Sequence, residues 1–292
     1  IRHVKPYFQD FRTFAKGRWI GREILEIFCR EFGAHPPSYW INALRNGQVR
    51  INNKIVPDNY RIRNGDAVLH RTHRHEPPVF GEITLVGETK DIVAISKPPS
   101  LPMHPCGAYR HNSLEYIMKR EPLVENQPVL SVVHRLDRVT SGLVVLAKSK
   151  STAARISEEI RDKATTKVYL ARVKGRFPTH AAQVPYLRDL SSINLADFAE
   201  ETEDYRLNGG EIDTTALELW VKCPLGVISP RDGVHACDPS GKPSLSIFRS
   251  LGYCAETDTS LIECRPYTGR THQLRLHLQL LGTPIANDPC YG

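Results

Sequence analysis

The sequence predicts an α+β fold, in which strands and helices follow one another without regular alternation. Apolar residues recur with a period near two in some segments and near 3.6 in others. Regular βαβ spacing, which would indicate a doubly wound parallel sheet, is missing from this pattern. The chain has 292 residues, of which 40% are hydrophobic and 24% charged, so it can bury a substantial core. Neither a G-x-G-x-x-G nor a P-loop pattern occurs, which argues against dinucleotide and P-loop nucleotide binding.

The first quarter of the chain is predicted to form a small helix-plus-hairpin unit. Residues 1–21 show no periodicity and are expected to be basic and irregular. After them the sequence predicts a helix over 22–32, a second helix from a Ser38 cap to Leu44, a hairpin of residues 49–51 and 54–56, and a turn at 63–66 before a strand over 67–69.

Pro77-Pro78 marks a boundary, because proline continues neither a helix nor a strand ladder. The run over residues 143–147 is apolar throughout, which is typical of a strand buried on both faces. The strands expected after this boundary cover residues 83–86, 92–95, 143–147, 168–173, 214–221, 245–253 and 261–265. The expected helices cover residues 112–120, 149–163 and 271–281.

The net positive charge of the chain comes entirely from its first quarter. The formal net charge is +7. Residues 1–75 hold 14 Lys and Arg against 6 Asp and Glu, a balance of +8, whereas residues 76–292 hold 25 against 26. A basic segment beside a neutral body indicates a nucleic-acid-binding region attached to a domain with another task. A solvated basic surface with no partner is the alternative. The acidic segment near residues 180–210 would repel a phosphate backbone, and we expect it to be an exposed insertion.

The cysteine and histidine patterns do not favour a metal site. None of the seven cysteines forms a C-x-x-C pair, and their scattered positions are typical of reduced thiols in an intracellular protein. The histidines of residues 70–75 alternate with arginines that would repel a cation, so we interpret this run as a basic linker. No stretch of 18 apolar residues is present, so no transmembrane helix is expected.

Two clusters carry candidate chemistry. In the first, Arg135 and Arg138 flank Asp137 just before the apolar strand, and two cations would keep this carboxylate in the charged form that a nucleophile or base requires. A salt-bridged turn at a sheet edge is the alternative. The second cluster, over residues 265–275, places Arg270 ahead of a predicted helix whose N-terminus could bind an anion. An ordinary helix start is the alternative there.

Three segments resemble the signature blocks of the RluA family of RNA pseudouridine synthases. They are HRLDRVTSGLVVLAK (134–148), KVYLARVKG (167–175) and RPYTGRTHQLRLHLQLLGTPIANDPCYG (265–292). A fourth segment, with Lys97-Pro98, resembles the block that opens the family's catalytic domain. Residues 103–114 are similar to the eukaryotic branch, which implies transfer RNA as the main substrate and messenger RNA as a second one.

The resemblance also implies the domain organisation. Residues 14–75 resemble the alpha-L type of RNA-binding module, within a basic N-terminal region over 1–75. Residues 76–292 would then form the catalytic domain, a mixed, largely antiparallel sheet with flanking helices and an acidic insertion.

The resemblance assigns roles to individual residues. Asp137 corresponds to the catalytic aspartate, Tyr169 to the tyrosine that stacks on the target base, and Arg270 to the arginine that pairs with the aspartate. Leu274 corresponds to the apolar residue beneath the uracil, and Lys167 to a substrate-binding position. Arg135 and Arg138 are expected to contact substrate as well.

The implied reaction isomerises uridine to pseudouridine, in which the C1′–N1 bond breaks and C5 bonds to C1′. Because neither redox change nor net hydrolysis is involved, no cofactor or metal is expected. We expect an intracellular monomer that binds RNA and no membrane, in the cytoplasm, with the mitochondrion or nucleus as alternatives. An inactive relative acting as an RNA chaperone is the competing hypothesis. A glycosidase is a more distant one, because only one carboxylate stands out.

Overall fold

A computed structural model describes residues 1–33, 35–124, 130–178, 218–229 and 233–292 of the chain. These residues form two compact units, Ile1–Arg155 and Ile156–Gly292. The domain boundary expected after residue 75 lies inside the first unit. The acidic segment near 180–210 lies outside the described residues.

The first unit begins with a three-stranded antiparallel sheet covered by two helices. Its strand order is β1-β3-β2. Buried apolar side chains from the helices and from one face of the sheet form a single core that includes Phe28, Trp40 and Val68. The elements are β1 (Tyr7–Phe14), a 3-10 turn (Gly17–Trp19), α1 (Ile24–Glu31), α2 (Pro37–Arg45), β2 (Val49–Ile51) and β3 (Ala67–Arg74).

Several expectations for this region are wrong. Residues 7–14 form a regular strand rather than an irregular segment, because they pair with β3 along their whole length. The run over residues 70–75 is mostly strand rather than linker, since His70 is half-buried against Trp40. Pro37, whose ring presets a helical φ, begins α2, so Ser38 lies inside this helix instead of capping it.

The expected hairpin of residues 49–51 and 54–56 is also wrong. Strand β2 pairs with β3, and residues 52 and 53 form a tight turn at positive φ that keeps only one bridge, between Ile51 and Lys54. The Asn52 side chain then accepts a hydrogen bond from the Ala67 backbone amide at 2.8 Å, which connects this turn to the start of β3. The partner of β2 is therefore separated from it by a long connection.

A four-stranded antiparallel sheet and one helix complete the first unit. Its strand order is β4-β5-β7-β6. Val144 and Leu146 are buried on one face of β7, whereas on the other face Leu143 is 55% exposed and only Ala147 is fully buried, so the burial on both faces that was expected holds only at the end of the strand. The elements are β4 (Thr84–Glu88), β5 (Ile92–Lys97), α3 (Leu114–Arg120), β6 (Ser131–Val132) and β7 (Gly142–Ala147). Helix α4 (Lys150–Arg161) follows and spans the division between the units.

A buried carboxylate connects distant parts of the first unit. Glu76 accepts hydrogen bonds from the Tyr7 hydroxyl at 2.5 Å and from the backbone amides of Arg110, His111 and Asn112 at 2.9 Å each. Burial raises the pKa of Glu76, but the hydrogen bonds outweigh it and hold the pKa below its usual value. Glu76 therefore joins β1 to the segment that leads into α3.

The second unit is a four-stranded antiparallel sheet with a helix packed on it and a small two-stranded sheet. The large sheet has the order β8-β13-β12-β9, and β10 pairs with β11. Phe248, Ile262 and Leu278 are fully buried between the sheet and the last helix. The elements are β8 (Tyr169–Lys174), β9 (Glu218–Lys222), β10 (Leu225–Ser229), β11 (Val234–Cys237), β12 (Leu245–Cys254), β13 (Thr259–Pro266) and α5 (Gln273–Leu280).

The α+β class with antiparallel sheets is confirmed, since every strand pair within the described residues is antiparallel. The strands over 225–229 and 234–237 were not expected from the sequence. Where the chain is described, no helix combines the length and apolar character that crossing a membrane requires. All seven cysteines lie in described segments, and none of them is in a disulfide.

Candidate active site

Asp137 lies half-buried in the loop that connects β6 to β7. Its backbone carbonyl accepts a hydrogen bond from the Thr140 amide at 3.1 Å, which closes a turn around the carboxylate. The Leu136 side chain is buried, and His134 Nε2 accepts a hydrogen bond from the Val145 amide of β7 at 3.0 Å. The turn and these two attachments hold the carboxylate in place beside the sheet.

Lys97, at the end of β5, donates a hydrogen bond to this loop. Its side chain is fully buried, and Nζ donates hydrogen bonds to the carbonyls of Leu101 at 2.8 Å, Pro98 at 2.9 Å and Arg138 at 3.4 Å. Burial lowers the pKa of Lys97 to about 8, against the attraction of Asp137, which raises it. The ammonium group is therefore within electrostatic range of the candidate catalytic carboxylate.

Lys97 is a functional candidate that sequence reasoning missed. In the sequence Lys97 belongs to the Lys97-Pro98 block that resembles the family, and neither its pattern nor the resemblance assigns it a role. A lysine that follows the alternating apolar positions Val93 and Ile95 of a strand lies on the same face as they do, and this was the available signal.

The two arginines that flank Asp137 are exposed. The Arg138 guanidinium lies 5.5 Å from the centre of the Tyr109 ring, a cation–π contact, and Arg135 extends to the surface. Exposed guanidinium groups beside a half-buried carboxylate suit contact with a phosphate backbone.

The second unit contains the other expected site residues. Tyr169 begins β8 opposite Cys264 of β13, and both Tyr169 and Leu274 pack at the edge of the same apolar core. The half-buried Lys167 has a pKa lowered by burial, and its Nζ lies 4.0 Å from the position that a Cβ would occupy on Gly269. The structure therefore brings Lys167 next to the residue that precedes Arg270.

Arg270 lies in a short loop, three residues before the first residue of α5. The predicted helix over 271–281 would have placed it directly at the start of the helix. His272, at φ 57°, precedes the first helical residue, Gln273. The exposed Arg270 side chain donates from Nε to the Pro243 carbonyl at 3.1 Å. The loop conformation, rather than the helix terminus, presents this guanidinium.

Gln273 fixes this loop and was not foreseen as a site residue. Its buried side-chain oxygen accepts hydrogen bonds from the Thr268 hydroxyl at 2.7 Å and from the Arg270 amide at 3.0 Å. Its amide nitrogen donates to the Leu245 carbonyl at 2.8 Å and to the Ser246 hydroxyl at 2.9 Å. Thr268 through Arg270 are thereby held against strand β12.

The cations of the second cluster are not all available to an anion. Arg275 Nε and Nη2 donate to the two oxygens of Asp288 at 2.6 and 2.9 Å. Burial raises the pKa of Asp288, but Arg275 and two backbone amides outweigh it and lower the pKa to about 2. Arg265 is paired with Glu263 at 2.6 Å and with Glu218 at 3.2 Å. The expectation of one concentrated anion site is therefore wrong for these two arginines.

The structure thus groups Asp137, Arg135 and Arg138 with Lys97 in one unit, and places the other candidates in the second. Those of the second unit are Lys167, Tyr169, Arg270 and Leu274. The ion pair expected between Asp137 of the first unit and Arg270 of the second stays a prediction.

Comparison with known proteins identifies related sequences. Residues 91–280 match the family model described as RNA pseudouridylate synthase. The chain is 40% identical over 294 residues to the human "Pseudouridylate synthase RPUSD2", covering 100% of this chain and 46% of that protein. It is 34% identical to the Saccharomyces cerevisiae "tRNA pseudouridine(32) synthase, mitochondrial", covering 100% and 55%. It is 32% identical to the "tRNA pseudouridine(31) synthase" of the same yeast, covering 100% and 72%. The chain spans about half the length of the first two.

Proposed function

Because the chain belongs to the RNA pseudouridylate synthase family, we propose that it isomerises specific uridines in RNA to pseudouridine, with Asp137 as the catalytic group. The observation that carries this proposal is the placement of Asp137. The carboxylate is half-buried in a loop held to β7, and the buried Lys97 donates a hydrogen bond to the carbonyl of the next residue, Arg138. The family match includes this loop and the segments of Tyr169 and Arg270.

The proposed reaction is balanced without a cofactor or metal. The C1′–N1 bond of uridine breaks, the uracil rotates within the site, and C5 bonds to C1′. The proton on C5 leaves and N1 gains one, so the product is an isomer of the substrate. A nucleotide within folded RNA must be turned out of its stack to reach Asp137, at a cost of a few kcal/mol.

The remaining candidate residues would offset the cost of unstacking the nucleotide and bind the base. Tyr169 offers an aromatic face to the extruded uracil, and Leu274 an apolar surface beneath it. Arg270 would pair with Asp137 in the free enzyme through its planar fork and contact RNA in the complex. Arg135, Arg138 and Lys167 would contact the substrate, with exposed guanidinium groups suited to phosphates.

We propose transfer RNA as the substrate, with messenger RNA as the second candidate. Two yeast relatives are named as tRNA pseudouridine synthases, and one of those names includes the mitochondrion. The proposed location is intracellular, in the cytoplasm, with mitochondrion and nucleus as alternatives. We also propose a monomer that acts without a membrane.

The proposed domain organisation assigns RNA binding to the N-terminal region. Residues 14–75, an alpha-L type module in this proposal, contain the helix pair and strands β2 and β3 of the three-stranded sheet, whereas β1 lies almost wholly before residue 14. The balance of +8 over residues 1–75 supports contact with phosphates. Residues 76–292 would then form the catalytic domain.

Release of tritium from 5-tritiated uridine tests the proposal, because C5 loses its hydrogen only when it bonds to C1′. The substrate is RNA from cells that lack the protein and have been grown with the labelled uridine, separated into transfer and messenger RNA. We expect release from transfer RNA with the wild-type chain and none with Asp137→Asn. RNA affinity should change by no more than a few-fold, because phosphate contacts dominate binding. Asp162→Asn, an exposed carboxylate, is the matched control.

Arg270→Lys extends the same assay to the second unit. Lysine keeps the charge but loses the fork, so we expect most of the activity to be lost while the fold is kept. Turnover near the wild-type rate in Asp137→Asn would refute the catalytic assignment. A fully active Arg270→Lys variant would refute the argument from bidentate pairing.

A further inference from the structure

Where the chain is described, one face of the N-terminal sheet lies outside the core that the other face forms with helices α1 and α2. Side chains alternate between faces along a strand, and directly opposed residues share a face. Val68 of β3 and both ends of β2, Val49 and Ile51, point into the core. The residues that alternate with them along each strand therefore point outward. The outer face consists of Phe8, Asp10, Arg12 and Phe14 of β1, Arg50 of β2, and Ala67, Leu69, Arg71 and His73 of β3.

Two aromatic rings on this outer face are exposed to an unusual degree for phenylalanine. Phe8 is 60% and Phe14 71% exposed. They lie six residues apart on the same strand, which is about 20 Å. Burial of such a ring is favourable, so exposed rings on one face indicate a surface that meets a partner.

Basic side chains lie beside Phe8 and between the two rings. The Arg71 guanidinium lies 5.0 Å from the centre of the Phe8 ring, and the His73 ring lies 4.9 Å from it. Arg12 lies on β1 between the two phenylalanines. The single carboxylate of the outer face, Asp10, lies 3.1 Å from Arg12 and 3.8 Å from Arg71.

The formal charge of the outer face is +2 with His73 neutral, from three arginines and one aspartate. Bases stack on aromatic faces in a manner tolerant of sequence, while arginines contact phosphates and add cation–π contacts. Exposed rings with arginines beside them therefore fit single-stranded RNA, whose bases are free to stack.

We propose that the outer face of the β1-β3-β2 sheet binds a single-stranded segment of the RNA substrate, with bases stacked on Phe8 and Phe14 and phosphates on Arg12 and Arg71. The identity of the ligand as RNA rests on the proposed function. This surface is separate from the helix pair, which lies against the opposite, core-forming face of the sheet.

Charge decides among the partners that exposed rings could meet. A second copy of the chain would bring the same cationic face against itself, and like charges placed opposite one another cost energy. A polyanion with aromatic groups complements both features of this face at once.

The test measures binding of the full 292-residue chain to fluorescein-labelled oligoadenylate by fluorescence anisotropy. Oligoadenylate contains no uridine, so binding is measured independently of turnover. An abasic oligomer with the same phosphates is the second probe. Phe11, 45% exposed on the opposite face of β1, provides the matched control Phe11→Ala. Circular dichroism checks that each variant is folded.

We expect Phe8→Ala/Phe14→Ala to weaken oligoadenylate binding at least about tenfold, because each stacked base is lost with its ring. Binding of the abasic oligomer should change less than about twofold, as should binding of both probes by Phe11→Ala. Phe8→Tyr/Phe14→Tyr, which keeps both rings, should retain the wild-type affinity. Arg71→Ala should reduce the slope of log affinity against log salt by about 0.7.

Wild-type affinity of Phe8→Ala/Phe14→Ala for oligoadenylate would overturn the inference. An equal loss for the abasic oligomer would overturn it too, because stacking would not be involved. Sedimentation without RNA that shows a dimer broken by Phe8→Ala/Phe14→Ala would assign the face to a second copy instead. A wild-type chain that binds oligoadenylate through the rings yet releases no tritium would refute the proposed function and leave the stacking surface intact.

Discussion

Replacing Lys97 with methionine tests how the buried lysine supports the Asp137 loop. Methionine has a similar length and no hydrogen-bond donor, so the carbonyls of Pro98 and Leu101 lose donors at 2.9 and 2.8 Å. A buried carbonyl left without a partner costs about 1–3 kcal/mol. The 3.4 Å bond to Arg138 adds little, and removal of a buried charge offsets part of the loss. We expect the free energy of unfolding to fall by about 2–4 kcal/mol.

The pH dependence of this loss shows whether burial or attraction to Asp137 has the larger effect on the pKa of Lys97. The pKa of Lys97 is about 8 in the folded protein and near 10.5 in the unfolded chain. Between these values the unfolded chain binds a proton that the native lysine has released, so this lysine makes the wild type more stable as pH rises. Lys97→Met lacks this contribution. The difference in stability between wild type and Lys97→Met should therefore widen from pH 8 toward pH 10.

Urea unfolding of both proteins at several pH values between about 7 and 10 measures this difference. Lys90→Met, at an exposed position before β5, is the control for loss of a lysine as such. We also expect tritium release to fall about tenfold to a hundredfold, because a small shift of the Asp137 loop would move the carboxylate away from the reacting atoms. A stability difference that narrows with rising pH, or unfolding identical to wild type, would refute this account of Lys97.

Two further carboxylates provide tests of stability. Glu76→Gln places an amide where the Tyr7 hydroxyl and three backbone amides donate, so we expect a loss of about 2–4 kcal/mol in urea unfolding at pH 7. Because the pKa of Glu76 is lowered in the folded protein, its contribution to stability is present above about pH 4.3 and is lost as pH falls through the folded pKa. An unchanged midpoint of acid unfolding in Glu76→Gln would contradict this. Arg275→Lys should lose about 1–3 kcal/mol, since one of two hydrogen bonds to the buried Asp288 is removed. The contribution of Asp288 should persist until pH falls toward about 2, and a variant as stable as wild type at pH 7 would contradict the paired geometry.

Much of the local structure could be predicted from the sequence by itself. The helical spacing of Leu25 and Phe28 predicts α1, and the apolar run over 143–147 predicts β7; both elements are confirmed. These patterns are legible because the period of the apolar residues follows directly from the local backbone geometry. The candidate Asp137 came from its flanking arginines and from the family motif, and the family itself is confirmed.

The tertiary structure decided every feature that depends on a distant partner. Strand β2 carries an alternation that suits pairing with 54–56 or with β3, and the core around Val68 selects β3. The sequence predicts the start of β3, over 67–69, but not its continuation to Arg74, because His70 is half-buried against residues far away in sequence. Arg275 is a charged group whose buried partner, Asp288, lies in another segment, and Lys97 contacts the distant Asp137 loop in addition to its own neighbours. A sequence pattern records the period of a segment, whereas burial and charge pairing depend on which surfaces meet in space, and only the folded chain determines that.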